Sequence, residues 1–265
     1  MRLEIEGRSV FAATGGGAVD SSQPLIVFLH GAGMDQSVWS LQSRWFAHHG
    51  KRVLAVDFPG HGQSAGPPLT DIGALAHWTA RLIEAAGAER ASLVGHSMGA
   101  LVALETAARH PQHVVSLALV GAAAKMPVHP DLLAAAKVNS HDAVDMVSLW
   151  GLGSAATLGG NPAPGLWMLG GTERLIERAA PGVLHADLRA CNDYHAAAAA
   201  AAGVVCPTTL ILGARDQMTP LKAGRALADL IAGARTIVLP GAGHMLMIER
   251  PEEVRDAIKA SLGRS

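Results

Sequence analysis

Aromatic residues make up only 4% of the 265-residue chain, with a single tyrosine, and charged residues only 16%. The first shortage means that Ala, Leu and Val must fill most of any core. The second excludes a disordered acidic or basic tail. Neither charge sign is in excess, since 21 Lys plus Arg face 22 Asp plus Glu for a formal charge of −1. A chain without a basic footprint has little to offer a phosphate backbone, so nucleic acid is not an expected partner. There are only two cysteines, Cys191 and Cys206, and Glu4, Glu6 and Arg8 interrupt the start of the chain where an export signal needs an apolar run. These features predict free thiols in a reducing, cytoplasmic compartment. Uncharged stretches at residues 146–172 and 194–214 are broken by Pro162 and Pro164 and by Gly203 and Pro207, so neither reads as a membrane span. H-E-x-x-H, C-x-x-C and Walker-type motifs are all missing, and no metal or other cofactor is expected.

What remains is a chain that is 49% apolar, enough to bury a sizeable core. Short runs rich in branched residues recur at 25–29, 52–56, 91–94, 114–120, 208–212 and 236–239, each reading as a buried strand. Helical spacing occupies 72–86, 100–109, 221–231 and 251–262. Alternation of this kind predicts an α/β fold, a mostly parallel sheet covered by helices on both faces. Residues 3–6 and 9–13 alternate around Gly7 as an antiparallel edge hairpin would. The alternation stops at residues 126–203, too long for an ordinary connection, and this stretch is read as an inserted helical cap. The expected organisation is a first core part at 1–125, the cap at 126–203 and a second core part at 204–265.

Gly95-His96-Ser97-Met98-Gly99 falls directly between a strand and a helix. A serine at such a turn is held in a strained conformation with its hydroxyl exposed at the sheet end, and flanking glycines let neighbouring backbone pass. Other motifs stand before and after it along the chain: His30-Gly31-Ala32-Gly33, then Asp57-Phe58-Pro59-Gly60-His61-Gly62-Gln63-Ser64, and later Gly213-Ala214-Arg215-Asp216-Gln217-Met218-Thr219-Pro220, then Gly241-Ala242-Gly243-His244. In this order they resemble the α/β-hydrolase family along almost the whole chain, in its serine-hydrolase branch of esterases, lactonases and cofactor-free haloperoxidases. The resemblance implies that fold with a cap inserted in it.

An alkyl hydroxyl needs a base to attack at neutral pH, and the base needs an orienting carboxylate. His244 follows a strand end in a glycine-rich loop. The turn Gly121-Ala122-Ala123-Ala124-Lys125 carries no carboxylate, which leaves Asp216 as the acid. Backbone N–H groups are expected to hold the oxyanion: Met98 at the start of a helix, and Ala32 by the resemblance, with Gly33 as the other candidate. No chemical role is assigned to His30 or His96. Trp150, Trp167, Met126 and Met146 are expected to line the substrate pocket, and the glycines at 151, 153, 159, 160, 170 and 171 to let the cap move as a lid.

The expected activity is cleavage of carboxylic esters of small, mainly apolar acyl substrates through an acyl-enzyme. Enol-lactonase, lactonase or perhydrolase chemistry is the nearest alternative. Carbon–carbon bond hydrolysis and a ligand receptor with a retained triad stand further off, Met245 following His244 where carbon–carbon hydrolases often have tryptophan. The partner is then a small ester or lactone, without a membrane, and the chain a monomer or small homo-oligomer.

Overall fold

A computed structural model describes residues 1–17, 20–160 and 165–262; Pro162 and Pro164 lie outside the described residues. The strands are β1 (Arg2–Ile5), β2 (Arg8–Ala13), β3 (Leu25–Leu29), β4 (Arg52–Val56), β5 (Ala91–His96), β6 (Val114–Val120), β7 (Thr208–Gly213) and β8 (Arg235–Leu239). They form one sheet in the order β1-β2-β4-β3-β5-β6-β7-β8. The β1–β2 hairpin pairs antiparallel and joins β4 antiparallel, and every pairing from β4 to β8 is parallel.

Helices α1 (Ser40–Ala47), α2 (Ile72–Ala85) and α3 (Met98–Arg109) alternate with the first strands. After β6 come α4 (Pro130–Lys137), α5 (His141–Gly151), α6 (Ser154–Thr157), α7 (Met168–Glu177), α8 (Val183–Asp193) and α9 (Ala197–Gly203). The chain ends with α10 (Leu221–Ala228), α11 (Leu246–Glu249) and α12 (Pro251–Ser261). Among the described residues no helix is long and apolar enough to cross a membrane.

Successive side chains of a strand point to opposite faces, and β3 buries both. Leu25, Val27 and Leu29 join the cluster containing Leu82 of α2, Leu101 and Leu104 of α3 and Leu227 of α10. Ile26 and Phe28 join the opposite cluster with Phe46 of α1, Val254 and Ile258 of α12, and Leu132, Val147, Met168 and Leu188 from the helices after β6. With so few aromatics, small side chains make close helix packing possible. Ala197, Ala200 and Ala201 of α9 lie in the cluster with α3, so this Ala-rich helix docks on the core while α4, α5, α7 and α8 gather over the other face.

β5 runs two residues further than its apolar pattern suggests, because Gly95 pairs with Leu119 and His96 with Val120. α3 then begins at Met98 rather than Ala100. Strand and helix therefore meet at Ser97 alone. Since β3, β5, β6, β7 and β8 are parallel, the turns that follow them collect along one sheet edge.

Candidate active site

Ser97 has φ 53° and ψ −116°, a conformation that L residues rarely adopt. Close packing fixes it there. A Cβ at Gly95 would collide with the Gly99 carbonyl oxygen, and one at Gly99 with that of Leu29, so both neighbours must be glycine. The Ser97 N–H donates to the Val120 carbonyl oxygen (2.9 Å), tying the turn to β6.

His244 and Asp216 come from the turns after β8 and β7. The His244 Nδ1–H donates to Asp216 Oδ2 (2.8 Å), and both side chains are buried. Three further donors hold the carboxylate: the N–H groups of Met218 (2.9 Å) and Thr219 (2.7 Å) at Oδ1, and the Thr219 hydroxyl (2.6 Å) at Oδ2. Burial alone would raise the Asp216 pKa, but the His244 charge and these hydrogen bonds together outweigh it and hold the carboxyl below its ordinary range. The turn after β6 presses on the ring from the other side. Gly121, at φ +58°, lies where a Cβ would sit 3.2 Å from both Cε1 and Nδ1 of His244.

The loop carrying His244 is stitched to the end of α5. The N–H groups of His244 (2.8 Å) and Met245 (2.9 Å) both donate to the Gly151 carbonyl oxygen. The buried Glu249 carboxylate accepts from Gly153 (3.0 Å) and Gly243 (3.0 Å). Gly151 and Gly153, expected to loosen a lid, are thus pinned: a Cβ at Gly153 would meet the Gly241 carbonyl oxygen at 2.7 Å.

Ser97 and His244 both line a cavity of about 510 Å³. Ala32, Met126 and Trp150 line it as well, together with Leu184, Leu188 and Cys191 of α8. Among the described residues lining it there is no Asp, Glu, Lys or Arg. Cys191 is a free thiol whose pKa burial pushes up, so it presents a neutral S–H.

Two expected lining residues lie elsewhere. Trp167 is 72% exposed and lines a separate cavity of about 310 Å³ beside Leu41 and Arg174. It stands at the position before α7, whose first residue, Met168, turns inward instead. Met146 is half-buried, packed against the core cluster of the same face as Phe28, and does not line this cavity, although Val147 and Trp150 of the same helix do.

The histidines without an assigned role are structural partners. His30 donates from Nδ1 to the Gly31 carbonyl oxygen (2.8 Å) and accepts the Phe58 N–H at Nε2 (3.2 Å). Burial and the nearby His61 keep it neutral by pushing its pKa well down. His96 donates from Nε2 to the His244 carbonyl oxygen (2.9 Å), and burial followed by the His244 charge lowers its pKa to about 3. Sequence reasoning passed over Thr219, Glu249, His61 and Asp187. His61 and Thr219 lay in recognised motifs without being assigned a role; Glu249 and Asp187 are helical carboxylates, marked by nothing but their burial.

A family model described as the alpha/beta hydrolase family matches residues 26–257. The chain is 30% identical over 251 residues to the pimeloyl-[acyl-carrier protein] methyl ester esterase of Chromobacterium violaceum, covering 90% of this chain and 94% of that protein. Its structure matches that of the enol-lactonase from Burkholderia xenovorans LB400 with a TM-score of 0.87 at 25% identity, covering 98% of each chain. A shorter match, 40% identical over 120 residues, spans 44% of this chain and only 30% of the dihydrolipoyllysine-residue acetyltransferase component of the acetoin cleaving system of Cupriavidus necator. The chain belongs to the alpha/beta hydrolase family. Within it, the protein is an ester-hydrolysing enzyme.

Proposed function

We propose that Ser97, His244 and Asp216 form the catalytic triad of a cofactor-independent carboxylic-ester hydrolase acting on neutral, mainly apolar acyl groups of modest size. The observation that carries this reading is a strained serine and an Asp-held histidine opening on one cavity that has no Asp, Glu, Lys or Arg among its described lining residues. With Nδ1–H bound to Asp216, Nε2 is the nitrogen left to take the Ser97 proton as Oγ attacks the acyl carbon. His244 then gives that proton to the leaving alcohol. Water repeats the cycle in the opposite sense and releases the acid.

The tetrahedral intermediate needs preorganised donors at its oxyanion. The Met98 N–H, at the first position of α3, is one. The choice of the second is supported by Asp187, whose Oδ2 already accepts the Gly33 N–H (2.8 Å), which leaves Ala32 as the donor on that loop. Residues 126–203 are the proposed cap, of which Met126, α5 and α8 contribute to the cavity wall. The free Cys191 and Cys206 support a reducing, cytoplasmic setting.

A lactone differs from an open ester only in a tethered leaving alcohol, and the likeness to the enol-lactonase supports testing that reading alongside. Purified protein should hydrolyse p-nitrophenyl esters, and Ser97→Ala should lower kcat by several orders of magnitude without unfolding the chain. A phosphonate should label Ser97 alone, as read by peptide mass spectrometry. Esters ending in a carboxylate should be poorer substrates than neutral esters of equal length, since no Lys or Arg faces them among the described lining residues. Esterase activity retained in Ser97→Ala would overturn the mechanism. Faster turnover of lactones than of every open ester would favour the lactonase reading.

A further inference from the structure

The loop after β4, which carries His61, is joined to α8 by a buried ion pair. His61 Nε2 lies 2.8 Å from Asp187 Oδ2, with the two side chains 2% and 0% exposed. The other ring nitrogen, Nδ1, faces the Pro59 carbonyl oxygen at 3.0 Å. A carbonyl only accepts, so Nδ1 must carry a hydrogen. An ionised Asp187, whose Oδ2 also accepts the Gly33 N–H, has no hydrogen to give, so Nε2 donates to it as well. The ring is therefore an imidazolium. Burial works against that charge, but Asp187, the Pro59 carbonyl and Asp57 outweigh it and raise the His61 pKa above its ordinary value. The groups facing the ring are Asp187 on α8, Asp57 after β4 and the neutral His30 after β3, whose ring centroid is 4.9 Å away.

One carboxylate oxygen thus holds two things at once: the protonated ring and the backbone next to Ala32. Leu184, a turn earlier on α8, packs over Gly33, where a Cβ would meet Leu184 Cδ1 at 2.7 Å. Leu184 and Leu188 also line the cavity over Ser97.

We propose that Asp187 and His61 are positioning residues, a latch that holds α8 down on the oxyanion loop and so sets both the Ala32 N–H and one wall of the substrate cavity. The inference rests on the ester-hydrolase reading of the same site. The latch depends on the ring's second proton. A group with a raised folded pKa contributes its stabilisation fully below its unfolded value and loses it as pH rises through the folded one. Activity should therefore show a descending alkaline limb that belongs to His61, not to the triad.

The test uses Asp187→Asn and His61→Gln, singly and together, with p-nitrophenyl ester kinetics from acid to alkaline pH. Misplacing a donor that acts mainly in the transition state should lower kcat by up to about 100-fold and move KM far less. The double variant should lose no more than the worse single one, and the descending limb should vanish in all three. Variants that melt at lower temperature but keep the kcat and the alkaline limb of the parent would overturn the latch, leaving the pair a packing feature. Should the variants not fold, NMR of the unaltered protein decides: the His61 ring should stay doubly protonated beyond the range of free histidine, and exchange of the Gly33 amide should quicken at the pH where the ring titrates. Exchange that ignores the His61 titration also overturns the latch. This readout needs no turnover, so an absence of ester hydrolysis in the parent would defeat the ester-hydrolase reading separately.

Discussion

Replacing Asp216 by Asn tests the triad because the surrounding hydrogen bonds dictate how the amide must lie. Oδ1 of Asp216 accepts two backbone N–H groups, from Met218 at 2.9 Å and Thr219 at 2.7 Å. These can only donate, so the asparagine carbonyl oxygen must occupy the Oδ1 position. The NH₂ then takes the place of Oδ2 and points a hydrogen at His244 Nδ1, which has to accept it. The proton moves to Nε2, and the nitrogen that should take the Ser97 proton already holds one. Such a tautomer error lowers kcat by about 10⁴, or about 5 kcal/mol of barrier. The amide can escape by flipping, but only by setting its NH₂ against two buried donors at about 1–3 kcal/mol each. Two such groups cost about 2–6 kcal/mol together, and the cheaper of the two routes sets the loss, so kcat should fall by about 30-fold to 10⁴. Stopped assays with p-nitrophenyl acetate measure this directly, with circular dichroism to verify folding. A kcat within tenfold of the parent would refute the reasoning and place the orienting acid elsewhere. The sign of the pH effect follows from the depressed pKa of Asp216. Its support for His244 is present above the ordinary carboxylate range and is lost only as pH falls through the lowered value. Loss of activity at milder acidity therefore belongs to another group.

Gly121→Ala should fold but lose activity, since its Cβ would press on the His244 ring at 3.2 Å and its φ of +58° strains any L side chain. A displacement of the base by a fraction of an ångström to an ångström should lower kcat by about ten- to a hundredfold; a parental kcat would show that the ring has room to move. Trp150→Ala should shift chain-length preference among p-nitrophenyl esters towards longer acyl groups, because Trp150 lines the cavity over Ser97. Trp167→Ala should leave that profile unchanged, its side chain being 72% exposed beside a different cavity. Equal effects of the two substitutions would show that the acyl group reaches the second cavity.

The amino-acid sequence by itself determined the sheet and the order of its turns. Strands buried on both faces must be apolar throughout, so β3, β4, β6 and β7 stand out as runs, and parallel neighbours separated by helices leave few other arrangements. It also marked Ser97, Asp216 and His244, the proposed nucleophile, acid and base, because such groups at strand ends require glycine-rich turns that are readable in one dimension. The proposed cap was less legible. Its helices follow the same 3.6-residue period whether a side chain faces substrate, the cap's own core or solvent, so Trp150 and Trp167 looked alike until packing sent one inward and the other out. The polar contacts that hold the site together were decided by tertiary structure alone. Asp187 meets His61 across 126 residues of chain, and Glu249 meets Gly153 across 96. A carboxylate on a helix reads as a solvated surface group in any sequence pattern, and only the folding of α8 and α11 against the catalytic turns takes these two out of water and gives each a donor to hold.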